Sequence, residues 1–309
     1  MNPIDSSDTA SDPPLDPHLD PRVHPYRDDI AADFLEGRIE AKTFVSGKPC
    51  RLGAPYAPVM SKPVISRSGP GELQASELLF GEGFTVYEDT ADWSWGQCGH
   101  DGYVGYVRSK DLFGNMPEPT HWVSAVRSLV YPDNKGEYPA TMSLSMTARV
   151  SVETVDGDYA KLVSGGWIFA KHLMALGEPR PDFVAIAQMF ARVPYLWGGR
   201  GGLGIDCSGL IQVPLTATGL EVPRDTDQQA GVIGEEIPIP DDVGQLRPGD
   251  IVYFPGHVGI HLGTGALLHA SSHDMMVVTH ALSDVVDRMQ DRHGKGITRV
   301  RRPTVSINA

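Results

Sequence analysis

Cysteine is scarce: Cys50, Cys98 and Cys207 are the three in a chain of 309 residues. They stand far apart, without the short spacings of zinc or iron–sulfur ligand sets. An odd number leaves at least one thiol free, which fits a reduced, cytoplasmic protein whose thiols are inert or chemical. Positive charge is in deficit too. With 26 Lys and Arg against 39 Asp and Glu the net charge is −13, which argues against nucleic acid or an anionic membrane held by bulk charge. No apolar run approaches the ~20 residues that cross a bilayer. The first twenty residues carry five aspartates, no Lys or Arg and no apolar core, so no secretory signal is expected there. Gly (34) and Pro (25) are plentiful, and they predict many turns, hence β structure and loops. At 41% hydrophobic and 21% charged the chain suits folded domains, about two at roughly 150 residues each.

Residues 1–24 read as an unfolded acidic, Pro-rich tail. In 25–55, a capping Asp28 with Ile30, Phe34 and Leu35 at helical spacing predicts a short helix over 28–40, then a strand near 42–45. An internal repeat follows. Gly105-Tyr106-Val107-Arg108-Ser109-Lys110-Asp111-Leu112 matches Gly166-Trp167-Ile168-Phe169-Ala170-Lys171-His172-Leu173, an offset of 61. Upstream, Phe84–Tyr87 and Asp92-Trp93 match Arg149–Val152 and Asp158-Tyr159. Both copies read as short alternating strands, so 56–116 and 117–177 are expected to be small β-barrels. The first copy carries extra residues around Cys98–Tyr103, a place where a loop can take a specific role. Gly177–Pro181 reads as a linker into a third unit, 178–309, which opens on a helix over 182–193 ended by Pro194.

The chemistry concentrates in that third unit. The glycine-rich run Tyr195-Leu196-Trp197-Gly198-Gly199-Arg200-Gly201-Gly202-Leu203-Gly204 leads to Asp206, a good helix cap, and then to Cys207 in the first turn of a helix. The helix dipole and unpaired N–H groups there favour a thiolate, the nucleophilic form. The run lacks the lysine of a phosphate-binding loop. Downstream, Pro248–Phe254 reads as a strand, and His257–Gly263 and Ala266–Ser271 read as a hairpin around Gly-Thr-Gly. A turn centred on Gly263 sets His257 directly opposite His269. One imidazole then serves as base toward Cys207 while the other orients it, the set that thiol catalysis requires.

These motifs carry a resemblance. Asp206-Cys207-Ser208-Gly209 after Tyr195-Leu196-Trp197-Gly198-Gly199, then Gly256-His257-Val258-Gly259-Ile260 and His269-Ala270-Ser271, resemble the NlpC-type cysteine peptidases of the papain-like superfamily. The repeat resembles bacterial Src-homology-3-like barrels. Their order resembles the γ-D-glutamyl–diaminopimelate endopeptidases, the dipeptidyl-peptidase VI-like enzymes of murein-peptide recycling. The implied fold is α+β, a papain-like NlpC catalytic domain preceded by two small β-barrels. The implied activity is hydrolysis of the amide between γ-linked D-Glu and diaminopimelate or L-Lys in free murein peptides. The resemblance assigns Cys207 as nucleophile, His257 as base, His269 as its orienting partner and Tyr195 as oxyanion support. It assigns Asp206, Ser208, Glu82 and Tyr103 to the substrate's free amino end. No metal or cofactor is implied, and the partner is a murein-derived peptide.

Some features sit apart from this pattern. Pro214 is expected to kink or shorten the helix after Cys207. His261 shares a strand face with His257 but lies too far along to orient it. His273, His280 and His293 read as surface residues, and Cys50 and Cys98 carry no signal beyond their type. Two other readings compete with recycling. One is cleavage of intact wall stems, which the missing export signal argues against. The other is a catalytically idle wall-peptide binding module, which the Cys-His-His set argues against.

Overall fold

The computed structural model describes residues 19–62, 73–180, 182–240 and 242–304. Most of the tail expected at 1–24 lies outside these residues, but 19–24 is folded. Leu19 is buried in a small cluster with Ala32 and Leu35, and Arg22 is anchored by Asp20, Asp225 and Asp227. The helix expected over 28–40 is a single 3-10 turn, Asp33–Leu35, beside a two-residue parallel pairing of Ala31–Ala32 with Phe44–Val45. Gly37 at φ +78 ends the turn. The segment packs by tertiary contact, and too few of its residues are apolar on one face to hold a free-standing helix.

The first barrel is a seven-stranded antiparallel sheet. Its order is Gln74–Leu79, Tyr56–Met60, Val104–Arg108, Trp93–Cys98, Gly83–Asp89, Lys48–Leu52 and Leu112–Phe113. It takes in Lys48–Leu52, which the sequence reading set outside it. The sheet wraps a core of Leu52, Val59, Leu78, Phe84, Cys98 and Val107. The second barrel combines a five-stranded sheet with a three-stranded one, between His121 and Ala175. The repeat is structural as well as textual. Gly105 and Gly166 each sit against a valine and the carbonyl of the next residue, Val59 with Met60 and Val130 with Tyr131, where a Cβ would come within 2.5 Å of the valine methyl. Both glycine strands run into matching 3-10 turns, Ser109–Asp111 and Ala170–His172.

The third unit has four helices, α1 (Phe183–Met189), α2 (Cys207–Ala217), α3 (Thr226–Val232) and α4 (Leu282–His293). Its main sheet has six antiparallel strands, β1 (Glu235–Ile237), β2 (Ile251–Phe254), β3 (His257–Gly263), β4 (Ala266–Ser271), β5 (Met276–Ala281) and β6 (Arg299–Arg302), in the order β1-β6-β2-β3-β4-β5. Asp182 caps α1 by accepting from the N–H groups of Val184 and Ala185. Helix α2 lies on β3 and β4 and buries Leu210, Ile211, Val213 and Leu215 completely. It also continues past Pro214 to Ala217 and is not cut short there. The apolar burial, roughly 1.5–3 kcal/mol per such side chain, outweighs one lost helix hydrogen bond. The three units interlock through apolar side chains. Leu79 and Phe80 of the first barrel enter the core of the second, and Trp122 and Met146 of the second enter the core around α2. Among the described residues no helix is long and apolar enough to cross a membrane.

Candidate active site

Asp206 organises the start of α2. Its Oδ1 accepts from the Gly209 N–H at 2.7 Å, and its Oδ2 accepts from the Gly198 N–H at 2.8 Å. The cap therefore also pins the glycine-rich loop. That loop needs its glycines: Gly198 has φ +76 and a Cβ there would lie 2.7 Å from Gln74, while a Cβ on Gly209 would lie 2.4 Å from the Gly199 carbonyl. Cys207 is 8% exposed, and the N–H groups of Val258 and Ser208 point at its sulfur. Val258 directly follows His257, so the sulfur rests against the start of β3.

Burial pushes the Cys207 thiol up to about 12, with the Asp206 carboxylate adding to the rise and Arg224 and the two N–H groups opposing it. Burial therefore opposes the thiolate expected from the helix start. A helix terminus contributes about 0.3–1 kcal/mol, while each pKa unit is worth roughly 1.4 kcal/mol, so desolvation outweighs it and favours the neutral thiol. The imidazoles match it: burial holds His257 down at about 4 and His269 down at about 3.

The histidines meet, though not as expected. Thr264 and Gly265, both at positive φ, form a two-residue turn that pairs Gly263 with Ala266, and a shift between His261 and Gly263 then pairs Ile260 with Leu268. Carried along the strands, that register sets His269 across from Gly259 and leaves His257 on its diagonal. Long side chains bridge such a diagonal. His257 Nε2 lies 2.7 Å from His269 Nδ1. His280, expected at the surface, is instead the next link, its Nδ1 lying 3.1 Å from His269 Nε2. On the next strand pair Leu267 faces His280 and Val278 faces His269, so this contact is diagonal as well. His261 is fully buried and makes a different contact, with the Arg247 carbonyl at 3.2 Å.

The residues expected to hold the substrate's amino end fall into two groups. Asp206 and Ser208 share Arg224, which reaches Asp206 Oδ2 at 2.6 Å and Ser208 Oγ at 2.6 Å. Tyr103 lies beside them, donating its hydroxyl to Asp225 Oδ2 at 3.3 Å. Glu82 belongs elsewhere. Its Oε2 accepts from Arg200 at 3.0 Å and from the Leu79 N–H at 2.9 Å, and its Oε1 accepts from Arg200 at 3.3 Å. Arg200 also donates to Gln212 and to the Glu77 carbonyl, and Gln212 in turn donates to Asp101. These contacts fasten the first barrel to α2. Glu82 is thus engaged at the joint, whereas Asp225, absent from the sequence reading, has beside Tyr103 a carboxylate oxygen that meets no hydrogen-bond donor among the described residues.

Tyr195 borders the site, its phenol held protonated by burial and by its nearness to Cys207 and Asp206. Cys98, His100 and Asp101 offer ligand atoms within 4.8 Å of one another. His100, however, lies between Glu82 at 3.4 Å and Asp101 at 3.0 Å, and burial beside both carboxylates keeps the Cys98 thiol far from ionising. The His100 ring thus sits between two carboxylates of the joint. Arg200, Arg224, Asp225 and His280 escaped the sequence reading. The one signal for His280 was a third histidine on the strand after His269, and for Arg224-Asp225 there was none.

A cysteine at a buried helix start, on a helix packed against the antiparallel sheet that carries a line of imidazoles, is the arrangement of a papain-like thiol hydrolase. Residues 192–293 match the NlpC/P60 family and residues 66–112 the bacterial dipeptidyl-peptidase Sh3 domain. The chain therefore carries an NlpC/P60 catalytic domain behind an SH3-like β-rich one, and it is a cysteine peptidase. Its curated relatives include dipeptidyl-peptidase 6 of Lysinibacillus sphaericus, 26% identical over 219 residues that cover 63% of this chain and 79% of that one. Another is the gamma-D-glutamyl-L-lysine dipeptidyl-peptidase of Bacillus subtilis, 26% identical over 222 residues that cover 63% and 71%. The crystal structure of an NlpC/P60 family protein from Bacillus cereus superposes with a TM-score of 0.67 at 20% identity, covering 82% of this chain and 99% of that one. This last likeness speaks to the fold.

Proposed function

We propose that the chain hydrolyses the amide between γ-D-Glu and a diamino acid, diaminopimelate or L-Lys, in free murein peptides that begin with an unblocked L-Ala. Its role would be wall-peptide recycling. Cys207, His257 and His269 are the proposed catalytic set, with Tyr195 at the oxyanion. The contact that carries the reading is His257 Nε2 on His269 Nδ1 at 2.7 Å, because it leaves the other nitrogen of His257 free as a base. Support for the substrate comes from the relatives of L. sphaericus and B. subtilis, which are named for dipeptidyl-peptidase activity.

The cycle begins with the neutral pair. His257 Nδ1 takes the thiol proton as Sγ bonds to the γ-carbonyl carbon, and the oxyanion accepts from the Tyr195 hydroxyl and a backbone N–H near Cys207. The imidazolium then gives its proton to the diamino acid's nitrogen, the C–N bond breaks and an acyl-enzyme remains. A water, deprotonated by His257, cleaves the thioester and restores the thiol. At the amino end, the Asp225 carboxylate and the Tyr103 hydroxyl suit an ammonium, while Arg224 orients Asp206 and Ser208 around it.

The test incubates the protein with L-Ala-γ-D-Glu-meso-diaminopimelate, its L-Lys counterpart and an N-acetylated twin, and reads the products by mass. The free peptides should release L-Ala-γ-D-Glu, and the acetylated twin should resist. Asp225→Asn should raise KM for the free peptide with little change in kcat. Equal cleavage of the blocked twin would remove the amino-end reading.

A further inference from the structure

We propose that His280 and Asp274 are positioning residues that hold His269, and through it His257, in the tautomer that catalysis needs. The inference rests on the thiol–imidazole reading above and extends it by two links. The contacts form one line across three strands and a turn. His257 Nε2 meets His269 Nδ1 at 2.7 Å, and His269 Nε2 meets His280 Nδ1 at 3.1 Å. His280 Nε2 then lies 3.8 Å from Asp274 Oδ2. Asp274 is itself set in place by the Ser271 hydroxyl, which donates to the same oxygen at 2.6 Å, and by its own N–H, which donates back to Ser271 at 3.2 Å. The rings stack edge to face at centroid separations of 5.0 and 5.2 Å.

Only one run of protons along this line leaves His257 able to act. To accept from the thiol, His257 must keep its Nδ1 lone pair, so its proton sits on Nε2 and is donated to His269 Nδ1. A neutral His269 then carries its proton on Nε2 and donates to His280 Nδ1. His280 in turn carries its proton on Nε2, the nitrogen that faces a carboxylate. Asp274, held ionised by Ser271 and His280, lies 3.8 Å from that nitrogen, beyond a hydrogen bond; its negative charge favours the proton there and so biases the direction of the whole line. Without an acceptor at position 280, His269 can turn its N–H toward His257. The His257 proton then moves to the nitrogen that must receive the thiol proton, and the base is lost.

The experiment compares wild type, His280→Leu and His280→Gln on the free tripeptide, with the His269 tautomer read from ¹⁵N long-range NMR of the imidazoles. A wrong tautomer at a catalytic imidazole costs up to about 10⁴ in kcat, and a partly populated one held two links away is expected to cost about 10- to 100-fold. His280→Leu should show that loss in kcat with KM held, and a mixed His269 tautomer. His280→Gln keeps an acceptor for His269, so it should restore most of kcat and a single His269 tautomer. Unchanged kcat in His280→Leu, with a single His269 tautomer, overturns the proposal. If wild type cuts no tripeptide, the substrate reading fails, and the NMR tautomers still decide the relay.

Discussion

Two buried polar chains flank helix α2, and they solve opposite problems. The arginine chain is charged. Arg200 and Arg224, both almost completely buried, meet Glu82 and Asp206, and every guanidinium arm finds an acceptor. The histidine chain is neutral, with burial holding His257 and His269 far below the usual imidazole range and the Cys207 thiol above its own. Fixed charges suit a joint that must not move, because breaking any one pair leaves a buried charge uncompensated. Neutral groups suit a site where one proton must pass, because neither partner is locked into an ion pair before the substrate arrives.

The comparison predicts its own failures, beginning with the largest. Cys207→Ala should lower kcat by about 10⁴-fold or more, roughly 5 kcal/mol, with the melting temperature nearly unchanged; peptide release and a thermal melt measure the two. Arg200→Met should leave activity chemistry untouched but cost about 3–5 kcal/mol of stability in urea unfolding, since Glu82 is left buried and alone. Adding Glu82→Gln should recover part of that loss, and a double variant no better than the single one would show that the pair is not coupled.

Within the joint, Glu77 should respond to acid with the opposite sign to the two histidines. His257 and His269 have folded pKa values below their unfolded ones, so their stabilisation is complete above about pH 6.5 and is lost as pH falls toward 4, roughly 3 kcal/mol for His257. Glu77, raised to about 7 by burial in the joint, takes up a proton on folding in the same window and so gains stability as pH falls. Glu77→Gln should therefore steepen the acid loss seen in melting temperature against pH, and a flatter curve would reverse the assignment. The smallest effect is expected at Arg22, whose side chain is 38% exposed. Arg22→Ala should cost no more than about 1 kcal/mol, yet it should raise KM for the free peptide, because Arg22 holds Asp225 at 2.9 Å.

Much of this protein was legible before any coordinates. Glycine density, the duplicated Gly-aromatic-aliphatic strands and the Asp-capped cysteine after a glycine run each follow from local rules of backbone freedom, periodicity and capping. They led to barrels, a helix start and two histidines on one hairpin. The misses share a cause. The helix expected over 28–40 dissolved into packing against the first barrel. Hairpin register depended on whether Thr264 and Gly265 or Gly263 formed the turn. Glu82 looked like a ligand for an ammonium until Arg200, 118 residues away in sequence, was found against it.

The sequence by itself determined which side chains can do chemistry and which segments become strand, turn or helix, since those choices depend on neighbours a few residues apart. Only the tertiary structure decided how the sulfur and the imidazoles are charged, which carboxylates are already matched by arginines, and that a third imidazole completes the line. Desolvation and ion pairing depend on what surrounds a group from every side, and those surroundings come from three units of the chain brought together.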